Sequence, residues 1–363
     1  MKGRTIYVGK QHSCKTIHQG IAASRSGDTV LVTSGFYSEG NIRVDKSITL
    51  KGLNFPTVDG QKKHEIFSVA NSSVTISGFR IQRSGYASLD DPCAVKVYDG
   101  RDVKVSGNIL EDNFFGIYIQ HGKRCAVTNN TITAYGVEEQ QIGNGIHCWK
   151  SDSLHIGGNT IQGHRDGIYF EFVTNSMIEK NISLKNVRYG LHFMFSNNDA
   201  YVGNIFRNNG AGVAVMFTRK VTMLNNVFEE NWGDAAYGLL LKEISDSHIS
   251  GNRFVKNTSG IHMEGTSRIK VEKNTFAANG WGMKIQASCM DNEITQNNFS
   301  GNTFDVSTNG SLVLNTFNGN YWDKYEGYDL DKNNIGDVPY RPLSLFSVIV
   351  ENTPPAMLLF RSF

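Results

Sequence analysis

Two ladders of residues run through this chain in phase, and together they allow little except a repeating coil. Asn108, Asn130, Asn159, Asn204, Asn226, Asn252, Asn274 and Asn315 are each followed two residues later by an apolar side chain. Asn181 keeps the spacing with Ser183 in the apolar place. From Asn108 to Asn274 the steps are 22, 29, 22, 23, 22, 26 and 22 residues. A glycine ladder, Gly116, Gly145, Gly167, Gly190, Gly212, Gly238, Gly260 and Gly282, opens short apolar runs at steps of 29, 22, 23, 22, 26, 22 and 22. Ladders that share their insertions in the same order belong to one coil, and a coil of ~22 residues holds two or three short strands rather than two helices. Between the ladders, Val103-Lys-Val105, Val221-Thr-Met223 and Ile269-Lys-Val271 alternate with the period of a strand. The expected fold is all-β: a right-handed parallel β-helix of about a dozen coils, its hand set by the right-handed bias of parallel crossovers. Asn at a fixed corner tolerates the left-handed conformation and can bond to Asn of the next coil. The rival, a leucine-rich repeat, lacks its leucine pattern and any recurring amphipathic helix.

A solenoid needs covered ends. Residues 1–27 read as the N-terminal cap, with helical spacing over Thr16–Ala23, and Asp28–Val32 and Ile48–Gly52 read as the first coil strands. The coils stop near Phe317, so residues 1–340 are expected to form one β-helix domain and 341–363 an apolar tail. The 37 glycines against 6 prolines fit frequent tight turns. With 36 Lys and Arg against 34 Asp and Glu, net charge is only +2, which argues against a general nucleic-acid binder. No apolar run is long enough for a membrane span. Five cysteines, an odd number without a CxxC pair, exclude a complete disulfide framework and disfavour a zinc ribbon. Residues 2–9 lack the apolar stretch of a signal peptide, so either the protein is cytosolic or a leader has been removed.

Counting from each ladder glycine, positions +1, +3 and +5 are expected to face inward and +2 and +4 outward. Position +5 holds Phe172, Phe195 and Phe217, read as an aromatic stack in the core, with Cys148 and Met263 at inward +3. Outward +2 includes Tyr118, His147, Tyr169, His192 and His262, and outward +4 includes Trp149, Glu171, Met194, Met216 and Glu264. Met194 and Met216 share a register in adjacent coils, expected ~5 Å apart, with His192 beside them. Thioethers favour Cu(I) and imidazole suits several transition metals, so Met194, Met216 and His192 are candidate Cu(I) ligands. His147 and Glu171 extend the stripe as an outer layer or access path. The other reading makes the methionines apolar residues under a loop or a partner. A carbohydrate-binding or carbohydrate-active β-helix is the alternative function. Against it, Glu171 and Glu264 stand four coils apart, roughly 19 Å, too far for an acid–base pair. Glu138, Glu139 and Asp166 keep it open, as do Trp149, Trp232 and Trp281 if exposed. Near the end, Asp329, Asp331, Asn333 and Asp337 around Gly336 resemble half of a calcium-binding loop, or a turn closed by its own side chains.

The runs Arg188-Tyr-Gly-Leu-His-Phe-Met-Phe195, Gly210-Ala-Gly-Val-Ala-Val-Met-Phe217 and Tyr237-Gly-Leu-Leu-Leu-Lys-Glu-Ile244 resemble the NosD family, periplasmic maturation factors of nitrous oxide reductase. Asn320-Tyr-Trp-Asp323 and Ile335-Gly-Asp-Val-Pro-Tyr340 extend the similarity over nearly the whole chain. The resemblance implies a non-catalytic periplasmic protein with a cleaved leader and no transmembrane segment of its own. It implies docking on the membrane subunits of an ABC transporter with its ATPase, and copper exchange with a chaperone lipoprotein and with nitrous oxide reductase. The family continues where this chain stops, and Leu358, Leu359 and Phe360 in the apolar tail are the expected contacts to the transporter.

Overall fold

A computed structural model describes residues 3–86, 91–312 and 314–353. The chain forms two compact units, residues 1–200 and 201–363. Each is a parallel β-solenoid whose strands lie in three sheets, with about 14 turns in the chain as a whole. No helix among the described residues is long and apolar enough to cross a membrane.

In the first unit the third sheet carries the surface of interest. Its strands are Ile42–Val44, Phe67–Val69, Cys93–Tyr98, Phe115–Gln120, Ile146–Trp149, Asp166–Glu171 and Tyr189–Met194, paired in that order and all parallel. Side chains at +1 and +3 from the ladder glycines are buried as expected: Ile117, Ile119, Ile168, Phe170, Leu191 and Phe193. The asparagine ladder is a chain of buried amides. Asn108 Nδ2 donates to Asn130 Oδ1 at 3.0 Å, Asn130 to Asn159 at 3.0 Å, and Asn159 to Asn181 at 2.9 Å. Each accepting Oδ1 also takes the backbone N–H of the donor residue, and the Asn130 and Asn159 Nδ2 groups reach the carbonyls of Val105 and Val127. Burying an amide costs free energy unless its hydrogen bonds are met, and here the next coil meets them.

The second unit repeats this organisation with strands Ala211–Arg219, Leu239–Ser245, Ser259–Glu264, Trp281–Ile285 and Phe304–Ser307 in its third sheet. The apolar side chains two residues after each asparagine form a stack of rings. Phe206, Phe228, Phe254, Phe276, Phe299 and Trp322 follow one another with centroids 5.4, 4.6, 4.9, 4.7 and 4.3 Å apart. A second asparagine ladder, Asn209, Asn231, Asn257, Asn279 and Asn302, runs five residues behind the first with the same amide-to-amide bonds.

The expected inward register fails at +5. Phe172, Phe195 and Phe217 are 44, 38 and 41% exposed, not core. Strands Asp166–Glu171 and Tyr189–Met194 end at +4 while Ala211–Arg219 runs on, but in all three coils the +5 residue adopts the left-handed region, with φ of 54, 49 and 54°. That conformation swings the side chain outward, and burial resumes one residue later at Val173, Ser196 and Thr218. Phe172 and Phe195 still stack, 5.2 Å apart and 11° from parallel, but outside.

The N-terminal helix runs over Ile17–Ala23, with Thr16 and Gln19 forming a reciprocal capping box. It lies against strands Thr5–Val8, Thr29–Val32 and Ile42–Val44. A Cβ on Gly20 would stand 2.4 Å from the Val8 side chain, so glycine permits this close approach. The strand Thr5–Val8 precedes the helix, so the first coil strand lies within the segment read only as a cap. In the segment read as an apolar tail, Leu345–Asn352 is a helix whose Phe346 and Val350 pack on Trp281 and Phe304. Trp281 is therefore covered, contrary to its reading as an exposed aromatic, while Trp232 is exposed. All five cysteines are free thiols, four of them buried.

Candidate metal site on the outer face of the first unit

The outward side chains of the first unit's third sheet form two rows set by strand register. One passes through Lys96, Tyr118, His147, Tyr169 and His192, and the other through Tyr98, Gln120, Trp149, Glu171 and Met194. In the first row the rings are in contact: Tyr118–His147 at 4.3 Å, His147–Tyr169 at 4.7 Å and Tyr169–His192 at 5.0 Å between centroids. This face is not a solvated sheet surface. Tyr118 and His192 are buried, His192 being 7% exposed.

His192 Nδ1 stands 3.5 Å from Asp166 Oδ2. Arg188 Nη2 lies 3.4 Å from the same nitrogen, but a guanidinium only donates, so while Nδ1 carries the proton Arg188 acts on the ring through Asp166. Arg188 also grips Asp166 through Nε at 2.9 Å and Nη2 at 2.5 Å. Burial pushes the Asp166 carboxyl up, but hydrogen bonds and charge from Arg188 and His192 outweigh it, so its pKa falls below the usual carboxylate range. A carboxylate beside Nδ1 favours the tautomer with the proton there and leaves the Nε2 lone pair available. That Nε2 is buried and has no hydrogen-bond partner among the described residues. Two residues on, at the next outward position, the half-buried Met194 accepts a weak hydrogen bond at Sδ from Tyr169 Oη at 3.8 Å. A ring nitrogen and a thioether sulfur on one strand face suit a soft monovalent cation better than a hard one.

His147 is built differently. Its Nδ1 lies 3.0 Å from Asn144 Nδ2, and Asn144 Oδ1 accepts from Arg165 Nε at 3.3 Å, so the amide is oriented to donate to the ring. Burial, with a smaller contribution from Arg165, brings the His147 pKa down to about 3. It is a neutral ring between Tyr118 and Tyr169, two rungs from His192. Glu171 is half-buried on the rung beside Met194. Met216 belongs to the second unit, half-buried in strand Ala211–Arg219 and in register with Lys242. There the outer face turns polar: Lys242 pairs with Glu264 at 3.1 Å, and His262 Nε2 lies 3.3 Å from Gln286 Nε2.

The part played by Asp166 and Arg188 was not read from the sequence. Asp166 stands one residue before Gly167 and Arg188 two before Gly190, and only the stacking of coils brings them to His192. In the loop read either as a calcium site or as a self-closed turn, the hydrogen bonds present are those of the turn. Asp329 accepts the backbone N–H groups of Asn333 and Asn334, Asp331 takes both the backbone and side-chain N–H of Asn333, and Asp337 accepts from Leu330. These oxygens close their own turn instead of converging on a cation. No cluster of three or more His, Cys, Asp or Glu in metal-binding array occurs among the described residues. Leu358, Leu359 and Phe360 lie outside the described residues.

Comparison with known proteins bears on this face. The family described as "Periplasmic copper-binding protein (NosD)" matches residues 129–327, and "Right handed beta helix region" matches residues 2–161. A "Probable ABC transporter binding protein NosD" of Pseudomonas aeruginosa is 29% identical over 91% of this chain and 81% of its own length. A protein of the same description from Stutzerimonas stutzeri is 27% identical over 89% of this chain and 78% of its own. Among solved structures, the catalytic unit of an α-1,3-glucanase from Streptomyces thermodiastaticus superposes with a TM-score of 0.63 at 14% identity. That alignment covers 84% of this chain and 65% of the glucanase unit. The last likeness shows the fold alone.

Proposed function

The chain belongs to the NosD family of periplasmic copper-binding proteins, and from that premise we propose that it handles Cu(I) as cargo during assembly of the copper centre of nitrous oxide reductase. It docks on the membrane subunits of an ABC transporter with its ATPase, takes copper from a chaperone lipoprotein and passes it to the reductase. The observation that carries this reading is the buried Nε2 of His192, without a hydrogen-bond partner among the described residues, on the same strand face as Met194 two residues on. Asp166 and Arg188 fix the ring so that this nitrogen faces the cargo, and Tyr169 positions the thioether.

The protein acts by binding rather than turnover. Asp166 is ionised and clasped by Arg188, which suits orienting a histidine and not delivering a proton to a leaving group. The names of the two relatives point the same way, as transporter-binding proteins.

Competition with a Cu(I) chelator tests the site. His192→Gln and Met194→Leu should each weaken Cu(I) binding by roughly tenfold or more, since each removes one ligand. His147→Phe keeps a ring in the stack and should leave Cu(I) affinity within about twofold. If His192→Gln and Met194→Leu bind Cu(I) like the wild type, these residues are packing and the assignment is wrong. Co-purification of the full chain with the transporter subunits tests the docking separately.

A further inference from the structure

The same sheet of the first unit carries a second feature, separated from His192 by the rungs of Tyr118, His147 and Tyr169. Over strands Ile42–Val44, Phe67–Val69 and Cys93–Tyr98 the outer face opens into a cleft of about 1200 Å³. That is somewhat larger than the usual site of a small organic ligand. Its floor holds a buried polar hub. Glu65 accepts from Ser68 Oγ and from Tyr98 Oη at 3.1 and 3.2 Å, and lies 4.0 Å from Lys96 Nζ.

The charges around this cleft are unequal in a way their number conceals. Both lining carboxylates already have partners: Glu65 in the hub, and Asp99 at 2.9 Å from His121 Nδ1. The exposed cation Arg43 on the strand, and Lys63 on the loop before Glu65, have no side-chain partner among the described residues, and neither has the His64 ring. Elsewhere in this unit Arg124 pairs with Asp102 and Arg80 with Glu111, each on a neighbouring coil. The side chains of Asn41, Asn71 and Ser72 add hydrogen-bonding groups to the wall.

We propose that this cleft binds a small organic or inorganic anion carrying at least two negative charges, as carboxylates or phosphates, held between Arg43 and Lys63. The two free cations at the mouth supply attraction and the polar floor supplies orientation. Guanidinium and ammonium both suit these acceptors, Arg by a fork and Lys as a point charge.

Isothermal titration of the full chain with citrate and, separately, with inorganic triphosphate tests this and shows which acid class is preferred. Sucrose serves as an uncharged molecule of similar size. At least one of the two anions should bind, more weakly as salt is raised. The double variant Arg43→Ala with Lys63→Ala should lose about tenfold or more in affinity, since each charged hydrogen bond contributes that order of effect. Both residues are exposed, so the variant should fold, and circular dichroism with a thermal midpoint checks it. The proposal is overturned if neither anion binds at millimolar concentration, if sucrose binds as well as they do, or if the folded double variant binds like the wild type.

Discussion

Asp199 is an acid placed where its neighbours in the stack are neutral. One coil earlier the same corner is served by Ser176, whose hydroxyl accepts the Leu154 N–H at 2.9 Å, and Asp199 Oδ1 accepts the Ser176 N–H at 2.7 Å. Its second oxygen is buried without a partner. Burial raises its pKa to about 8, against a smaller pull from the Ser176 bond. Because the folded value lies above the unfolded one, the native state holds the proton more tightly. The stability this adds is complete below about pH 4 and is lost as pH rises towards 8. The cost over that interval is on the order of 2–5 kcal/mol. Asp199→Asn keeps the acceptor for Ser176 and removes the charge. It should raise the thermal midpoint at pH 8 and flatten its dependence between pH 5 and 8. An unchanged slope in the variant would assign the pH dependence to other groups.

Among elements, the ring stack of the second unit buries one aromatic side chain upon the next. Phe254 is fully buried between Phe228 and Phe276, at 4.6 and 4.9 Å. Phe254→Ala should destabilise by about 3–5 kcal/mol, the usual cost of emptying an aromatic core site, read as a shift of the denaturation midpoint. Such elements were legible because Asn, the apolar residue two places on, and the glycine recur in step. The ladder at Asn209, Asn231 and Asn257 was equally present, five residues behind the first, and was passed over. Phe172 and Phe195 were misplaced for a physical reason. Strand alternation says nothing about where a strand stops, and one left-handed residue reverses the face. The outward register of His192 and Met194 was readable because both precede that corner. The clasp of Asp166 and Arg188 was not, since it depends on which side chains the stacking of coils buries together. The helix Ile17–Ala23 was legible from the helical spacing over Thr16–Ala23. The strand Thr5–Val8 did not, since four residues at a chain start carry no repeat to be in step with.

At the scale of the whole molecule, a solenoid is stabilised coil by coil, so damage at one place should stay local. The second unit tests this at the helix Leu345–Asn352. Val350 is buried against Trp281 and Phe304, with Phe346 beside them. Val350→Asp puts a charge into that contact, which costs several kcal/mol unless the helix detaches, so the helix should leave its seat. Amide hydrogen exchange should then quicken in strands Trp281–Ile285 and Phe304–Ser307, which lose their cover. Protection in strand Leu239–Ser245 should hardly change, because its neighbours Ala211–Arg219 and Ser259–Glu264 remain paired with it. Val350→Ala, which shortens the side chain without adding charge, should give a weaker version of the same pattern. Exchange that quickens equally in every strand of the unit would mean that it opens as one cooperative block, and the coil-by-coil account would not hold. Exchange unchanged at Phe304 would mean that the helix is not the cover of that end.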